Sequence, residues 1–116
     1  MLLKQNRLAK KKDFENVFKK GRGAKQGFLF LKFIPSKFNY TRFAFVVSQK
    51  VSKKAVQRNK IRRYLREMVR TKMVQIKKGF DCVLVVFPGF EKKGAEEALN
   101  ILLKQAKLLT LNKVND

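Results

Sequence analysis

The side chains best spaced to do chemistry are arginines. From Val56 to Arg70 the sequence runs Val-Gln-Arg-Asn-Lys-Ile-Arg-Arg-Tyr-Leu-Arg-Glu-Met-Val-Arg. Wound as an α-helix, this stretch puts Ile61, Tyr64, Leu65, Met68 and Val69 within one arc, which Ile76 extends. Asn59, Arg62, Arg63, Arg66 and Arg70 fall on the other side, with Arg58 and Lys60 at the start. Glu67 alone offsets them. The apolar arc asks for a core. The cationic arc repels itself unless a dense anion lies against it. The planar guanidinium fork suits bidentate contact with phosphate. The bland alternative is a solvated charged face, but such faces mix signs at i and i+4, and this one does not.

Side chains that could catalyse a reaction are scarce. There is no His, and Cys82 is the one Cys. Acid–base or nucleophilic catalysis near neutral pH relies on His, paired carboxylates or an activated thiol. Cys82 sits in an apolar run and reads as a small core residue. No disulfide can form within the chain, and a zinc site lacks ligands. Asp13 and Glu15 do not share a helix face. Hydrolysis by this chain unassisted is not expected.

The partner is anionic. In 116 residues, 29 Lys and Arg stand against 8 Asp and Glu, for a net charge of +21. No acidic residue lies between Glu15 and Glu67. Nucleic acid is the expected partner. A membrane is not, because the charge is spread along the whole chain and no apolar stretch approaches a span. The short apolar run at Met1 to Leu3 is no signal peptide, so a cytoplasmic protein is expected. Phe rings, 11 in all, could serve as platforms for unpaired RNA bases. A DNA-binding helix-turn-helix fits less well, since a strand immediately precedes the basic helix.

Several elements must position these groups. Residues 1–10 read as a basic, loosely held arm. Lys12 to Gly21 reads as a short helix, with Asp13 and Glu15 early, Lys19 and Lys20 late, and Gly21 as the stop. Its stripe of Phe14, Val17 and Phe18 is either core or a functional surface. Residues 22–27 read as a loop. Phe28 to Ile34 and Thr41 to Ser48 read as strands forming an antiparallel hairpin. Ser52 is the expected N-cap of the long helix, which should run to about Lys77. Phe80 to Phe87 reads as a buried central strand and Glu91 to Leu109 as the last helix, followed by a tail at 111–116. The expectation is one RNA-binding domain over 1–116, an α+β fold in the order α-β-β-α-β-α. Its small, mostly antiparallel sheet has two helices on one face and the first helix on the other.

One block carries a family resemblance. Val47-Ser48-Gln49-Lys50-Val51-Ser52-Lys53-Lys54-Ala55-Val56-Gln57-Arg58-Asn59-Lys60-Ile61-Arg62-Arg63 resembles the signature of the bacterial ribonuclease P protein component. Asn6-Arg7-Leu8 and Asp13 to Gly21 resemble that family's first helix region. Order and length agree from about residue 6 to 109. Lys60 replaces the second Arg of the signature, and Gln49 stands where a basic residue is usual.

The resemblance implies a subunit of a ribonucleoprotein endonuclease that removes the 5′ leader from precursor tRNA. It implies a catalytic RNA that holds the magnesium ions, with no cofactor on the protein itself. It also implies a left-handed β-α-β crossover, against the usual right-handed preference. Carried over by position, Arg58, Asn59, Lys60, Arg62, Arg63 and Arg66 face the catalytic RNA, and Lys53, Lys54 and Arg70 extend that basic surface at either end. Phe14, Val17, Phe18 and sheet residues near Phe28 and Phe30 line a cleft for the leader, and Lys19, Lys20 and Arg22, close behind the first helix's rings, could hold its phosphates. The alternative is a ribosomal protein or RNA chaperone, which composition fits equally well.

Overall fold

A computed structural model describes residues 4–109. The tail at 111–116 and the first three residues of the basic arm lie outside the described residues. The elements are α1 (Lys11–Lys20), β1 (Arg22–Gln26), β2 (Leu29–Pro35), β3 (Arg42–Val47), α2 (Ala55–Lys72), β4 (Phe80–Val86) and α3 (Lys92–Gln105). Short 3-10 turns occupy Lys4–Asn6 and Met73–Gln75.

The sheet order is β1-β2-β4-β3. β1 pairs antiparallel with β2 and β2 with β4, while β3 and β4 run parallel. The fold is therefore α+β with a mostly antiparallel sheet. Two expectations fail here. Residues 22–26 are a strand, not a loop, so the element order gains a β1. The strands before α2 do not form a hairpin with each other, because β4 lies between them. A parallel pair needs a long crossover, and α2 supplies it. β4 is central, as its almost wholly apolar run requires: Cys82, Val83, Leu84 and Val86 are all fully buried.

Two cores flank the sheet. On one face α2 and α3 bury Leu65, Val69, Leu99, Leu102 and Leu103 against Leu29, Leu31, Phe43, Leu84 and Val86. Each fully buried aliphatic side chain contributes about 1.5–3 kcal/mol. On the other face α1 seats Val17 against Leu8, Ala44 and Val83. Both faces of the sheet are thus covered, as the apolar alternation of β3 demands.

Helix ends differ in detail from the sequence reading. α2 stops at Lys72 rather than about Lys77, and its N-cap position is Lys54, not Ser52. Ser52 still helps, since its Oγ accepts from the Lys54 N–H at 3.3 Å. α3 ends at Gln105, and Leu109 instead bridges to Ile76. Gly21 does end α1, but for want of space. Its φ of −79° suits any residue. A Cβ there would collide with the Val17 carbonyl and come within 2.8 Å of the Phe33 carbonyl oxygen.

The described part of the basic arm is held, not loose. Asn6 is buried, and its Nδ2 donates to the Thr41 carbonyl at 2.7 Å. The Leu8 N–H donates to the Phe43 carbonyl at 2.8 Å, and Arg7 bridges Phe43 beside the outer edge of β3.

Candidate nucleic-acid interface

The cationic ridge forms as the helix periodicity requires. Leu65 and Val69 are buried under α2, while Asn59, Lys60, Arg63 and Arg70 are exposed. Arg58, Arg62 and Arg66 are half-buried, and Lys53 and Lys54 are exposed just before the helix. Local bonds hold several heads in place. Arg62 Nη2 donates to the Asn59 side-chain oxygen. Arg58 Nη1 donates to the Ser52 carbonyl at 2.9 Å. Arg70 Nε donates to Glu67 at 3.0 Å. Asn59 therefore serves the ridge by orienting a guanidinium.

Arg66 sits deepest. Its guanidinium lies 5.9 Å from the centre of the Phe45 ring. Burial lowers its pKa, and the charges of Arg7, Arg62 and Arg63 lower it further. An arginine stays charged through such a shift, so the crowding reports a concentrated positive field. Arg7 joins this field from the segment paired to β3. The sequence reading left it out of the site; the alternation of buried Asn6 and Leu8 around it was the available signal.

A cleft of different chemistry lies on the opposite face, beside α1. Phe14, Val46 and Val85 are half-buried around the cluster of Leu8, Val17, Ala44 and Val83. Phe18 is 42% exposed. Phe30 registers with Val85 and with Lys25, so all three share this face. The Phe30 and Phe87 rings lie 6.2 Å apart, and Lys25 Nζ stands 4.9 Å from the centre of Phe87. Lys32 Nζ donates to the Gly21 carbonyl at 3.3 Å. Half-exposed rings with interspersed lysines offer base-stacking surface and phosphate contacts together.

The structure separates the residues assigned to this cleft. Phe14 and Phe18, on α1, and Phe30, on β2, lie on the same side of the sheet. Val17 is fully buried beneath α1 and presents no surface. Phe28 precedes β2 in a turn, and its ring packs edge-on against Phe90 at 5.2 Å, in the core on the α2–α3 side. Arg22 registers with Phe33, whose ring also belongs to that side. Lys19 and Lys20 line a second groove on the other flank of α1. Phe87, Val85, Val46 and Lys25 were missed. They come from three strands, with Phe87 just after β4, and the sequence order does not reveal how those strands pair.

Arg42 is spent internally. It makes a bidentate pair with Asp81, at 2.8 and 2.7 Å, and reaches Asp13 at 3.2 Å. The hydrogen bond to Asp81 raises the Arg42 pKa, against the opposing effect of burial. Cys82 is fully buried, and burial pushes its thiol pKa up, so it is no nucleophile at neutral pH. Among the described residues no group of three or more His, Cys, Asp or Glu could hold a metal ion, and no helix is long and apolar enough to cross a membrane.

Known proteins share this arrangement. A family model for ribonuclease P matches residues 2–109. The ribonuclease P protein component of Pseudanabaena sp. is 41% identical over 115 residues, covering 94% of this chain and 97% of that one. The component from Syntrophomonas wolfei is 34% identical, covering 97% and 96%. Among solved structures, the Staphylococcus aureus ribonuclease P protein superposes with a TM-score of 0.82 at 26% identity, covering 90% of this chain and 98% of that one. The Thermotoga maritima protein gives 0.66 at 30% identity, covering 95% and 98%. With the basic ridge following a strand and the compact α+β sheet already in place, these matches identify the chain as a member of the ribonuclease P protein family, an RNA-binding subunit of the tRNA-processing ribonucleoprotein.

Proposed function

We propose that this chain holds two RNAs at once, one on each side of its sheet. The α2 ridge binds the catalytic RNA through Lys53, Lys54, Arg58, Asn59, Lys60, Arg62, Arg63, Arg66 and Arg70, with Arg7 beside them. The cleft between α1 and the sheet takes the single-stranded 5′ leader of precursor tRNA, on Phe14, Phe18, Phe30 and Phe87. The catalytic RNA cuts the leader and holds the magnesium ions; the protein supplies no reacting group. The lack of His and the burial of Cys82 fit that division of labour. Residues 1–116 act as one RNA-binding domain in the cytoplasm. The alternative of a ribosomal protein or RNA chaperone is not favoured by the family match.

The observation that carries this reading is the chemical contrast between the faces. The ridge is dense in guanidiniums and suits folded phosphate backbone. The cleft is aromatic, sparsely cationic and open, and suits unpaired bases of any sequence. A subunit that must accept many leaders needs such tolerance.

Phe18→Ala tests it. At 42% exposure the ring carries little of the core, so the melting temperature should hold. Holoenzyme affinity for precursor with a leader should fall roughly tenfold, in line with the loss of one stacked base. Affinity for mature tRNA should not change. An equal loss for both ligands would return Phe18 to a structural role.

A further inference from the structure

The leader cleft uses one flank of α1. The other flank borders a groove of about 540 Å³, closed on its far side by the loop between β2 and β3. That loop is braced at both ends, at its far end by Thr41, whose Oγ1 donates to the Lys77 carbonyl at 2.5 Å. The Ser36 N–H donates to the Gly79 carbonyl at 2.8 Å, and the Phe38 N–H to Ser36 Oγ at 3.3 Å. It presents Phe38, 37% exposed, stacked on Tyr40 with ring centres 5.1 Å apart and planes 23° from parallel. The Arg42 guanidinium lies 4.8 Å from the centre of the Phe38 ring.

The groove's charge selects its occupant. Asp81 and Asp13 both line it, but Arg42 pairs with each, at 2.7 and 3.2 Å. Lys12, Lys19, Lys20 and Lys37 remain around the rim, against Glu15. Phe38, backed by Tyr40 and bordered in the groove by lysines, is the chemistry that takes a nucleobase and its phosphate. It disfavours a basic or purely apolar partner.

We propose that this groove binds an unpaired nucleotide of the 5′ leader, upstream of those in the Phe18 cleft, after the strand crosses α1 over Lys19 and Lys20. The inference rests on the leader reading above. It gives α1 a function beyond that of one wall: the helix is a saddle with single-stranded RNA on both flanks. Because the loop is held by its own hydrogen bonds, the site is formed before RNA arrives, which keeps the ordering cost of binding low.

The test uses assembled holoenzyme and precursors whose leaders lengthen one nucleotide at a time. Phe38→Leu keeps an apolar cover over the Arg42–Asp81 pair but removes the π-face, and Phe38→Tyr keeps both. Wild-type affinity should rise again beyond a threshold leader length. Phe38→Leu should abolish that second rise, at roughly tenfold in affinity, and Phe38→Tyr should retain it. Short-leader precursors and mature tRNA should bind all variants alike.

Four results would overturn the proposal. If Phe38→Leu bound every precursor like wild type while Phe18→Ala stayed defective, the groove would be empty and the leader reading intact. If both variants bound every precursor normally, the leader reading would fail and the groove with it. A loss in binding the catalytic RNA itself would assign the groove to that RNA. A loss that tracked a lowered melting temperature would make Phe38 a cover for the ion pair only.

Discussion

Salt should detach this chain from the catalytic RNA along a slope that the α2 ridge dictates. Eight cations are candidates for phosphate contact: Lys53, Lys54, Arg58, Lys60, Arg62, Arg63, Arg66 and Arg70. The structure discounts one. Arg70 is paired with Glu67 at 3.0 Å, which offsets part of its charge. Arg58 also spends a donor, on the Ser52 carbonyl, but keeps its charge. Roughly six or seven phosphate neutralisations give a log–log salt slope of about −4 to −6. A fourfold rise in salt would then cost about 300- to 4000-fold in affinity.

Two variants sharpen the test. Arg63 is exposed on the ridge, and Arg63→Ala should flatten the slope by about 0.7–0.9. Arg70→Ala should leave the slope nearly unchanged, even if Glu67 then weakens binding by repulsion. The assay is fluorescence anisotropy of labelled catalytic RNA across a salt series. A wild-type slope shallower than about −2, or the same change in slope for both variants, would refute the counting.

Two further outcomes concern stability. Leu65→Ala removes a fully buried side chain from beneath the ridge. It should cost about 2–5 kcal/mol in denaturant unfolding, while the salt slope, measured where the variant is folded, stays as in wild type. Arg42→Ala would leave Asp81, only 5% exposed, without its bidentate partner. A loss of about 3–5 kcal/mol is expected; a loss below about 1 kcal/mol in thermal melts would class the network with screened surface pairs.

The sequence revealed elements better than it revealed neighbours. Helical periodicity in 56–70 was enough to orient the ridge, because Leu65 and Val69 recur on one side and the arginines on the other. The run at Phe80 to Phe87 marked a central strand because Asp81 is its one polar residue. β1 was invisible because Arg-Gly-Ala-Lys-Gln has no apolar alternation; pairing with β2, not propensity, makes it a strand. The expected hairpin failed because adjacency in sequence is only a tendency, and β4 displaced β3 from β2.

Errors in the cleft have the same origin. Alternation would put Phe28 on the same side as Phe30, but Phe28 lies in the turn, outside the strand's period. Arg42 lies in the stretch without acidic residues between Glu15 and Glu67, yet Asp81, 39 residues away, holds it. Arg22 was assigned by nearness to α1, whereas its register with Phe33 sends it to the other side.

The two edges of the sheet are managed by different means, and this bears on how the chain survives before it meets RNA. The outer side of β3 is occupied by the chain's own Arg7–Leu8 segment. Among the described residues no strand pairs with the outer side of β1. That edge is short and carries Arg22 and Lys25, the sort of charge that blunts edge-to-edge addition. A second copy docking there would bring the same cations and a net charge of +21 against its like. Self-association is therefore opposed by the same excess of positive charge that favours RNA. Polyanions would remove that protection if they bound the chain while it was still unfolded, so refolding yield should depend on whether nucleic acid is added before or after the sheet has closed.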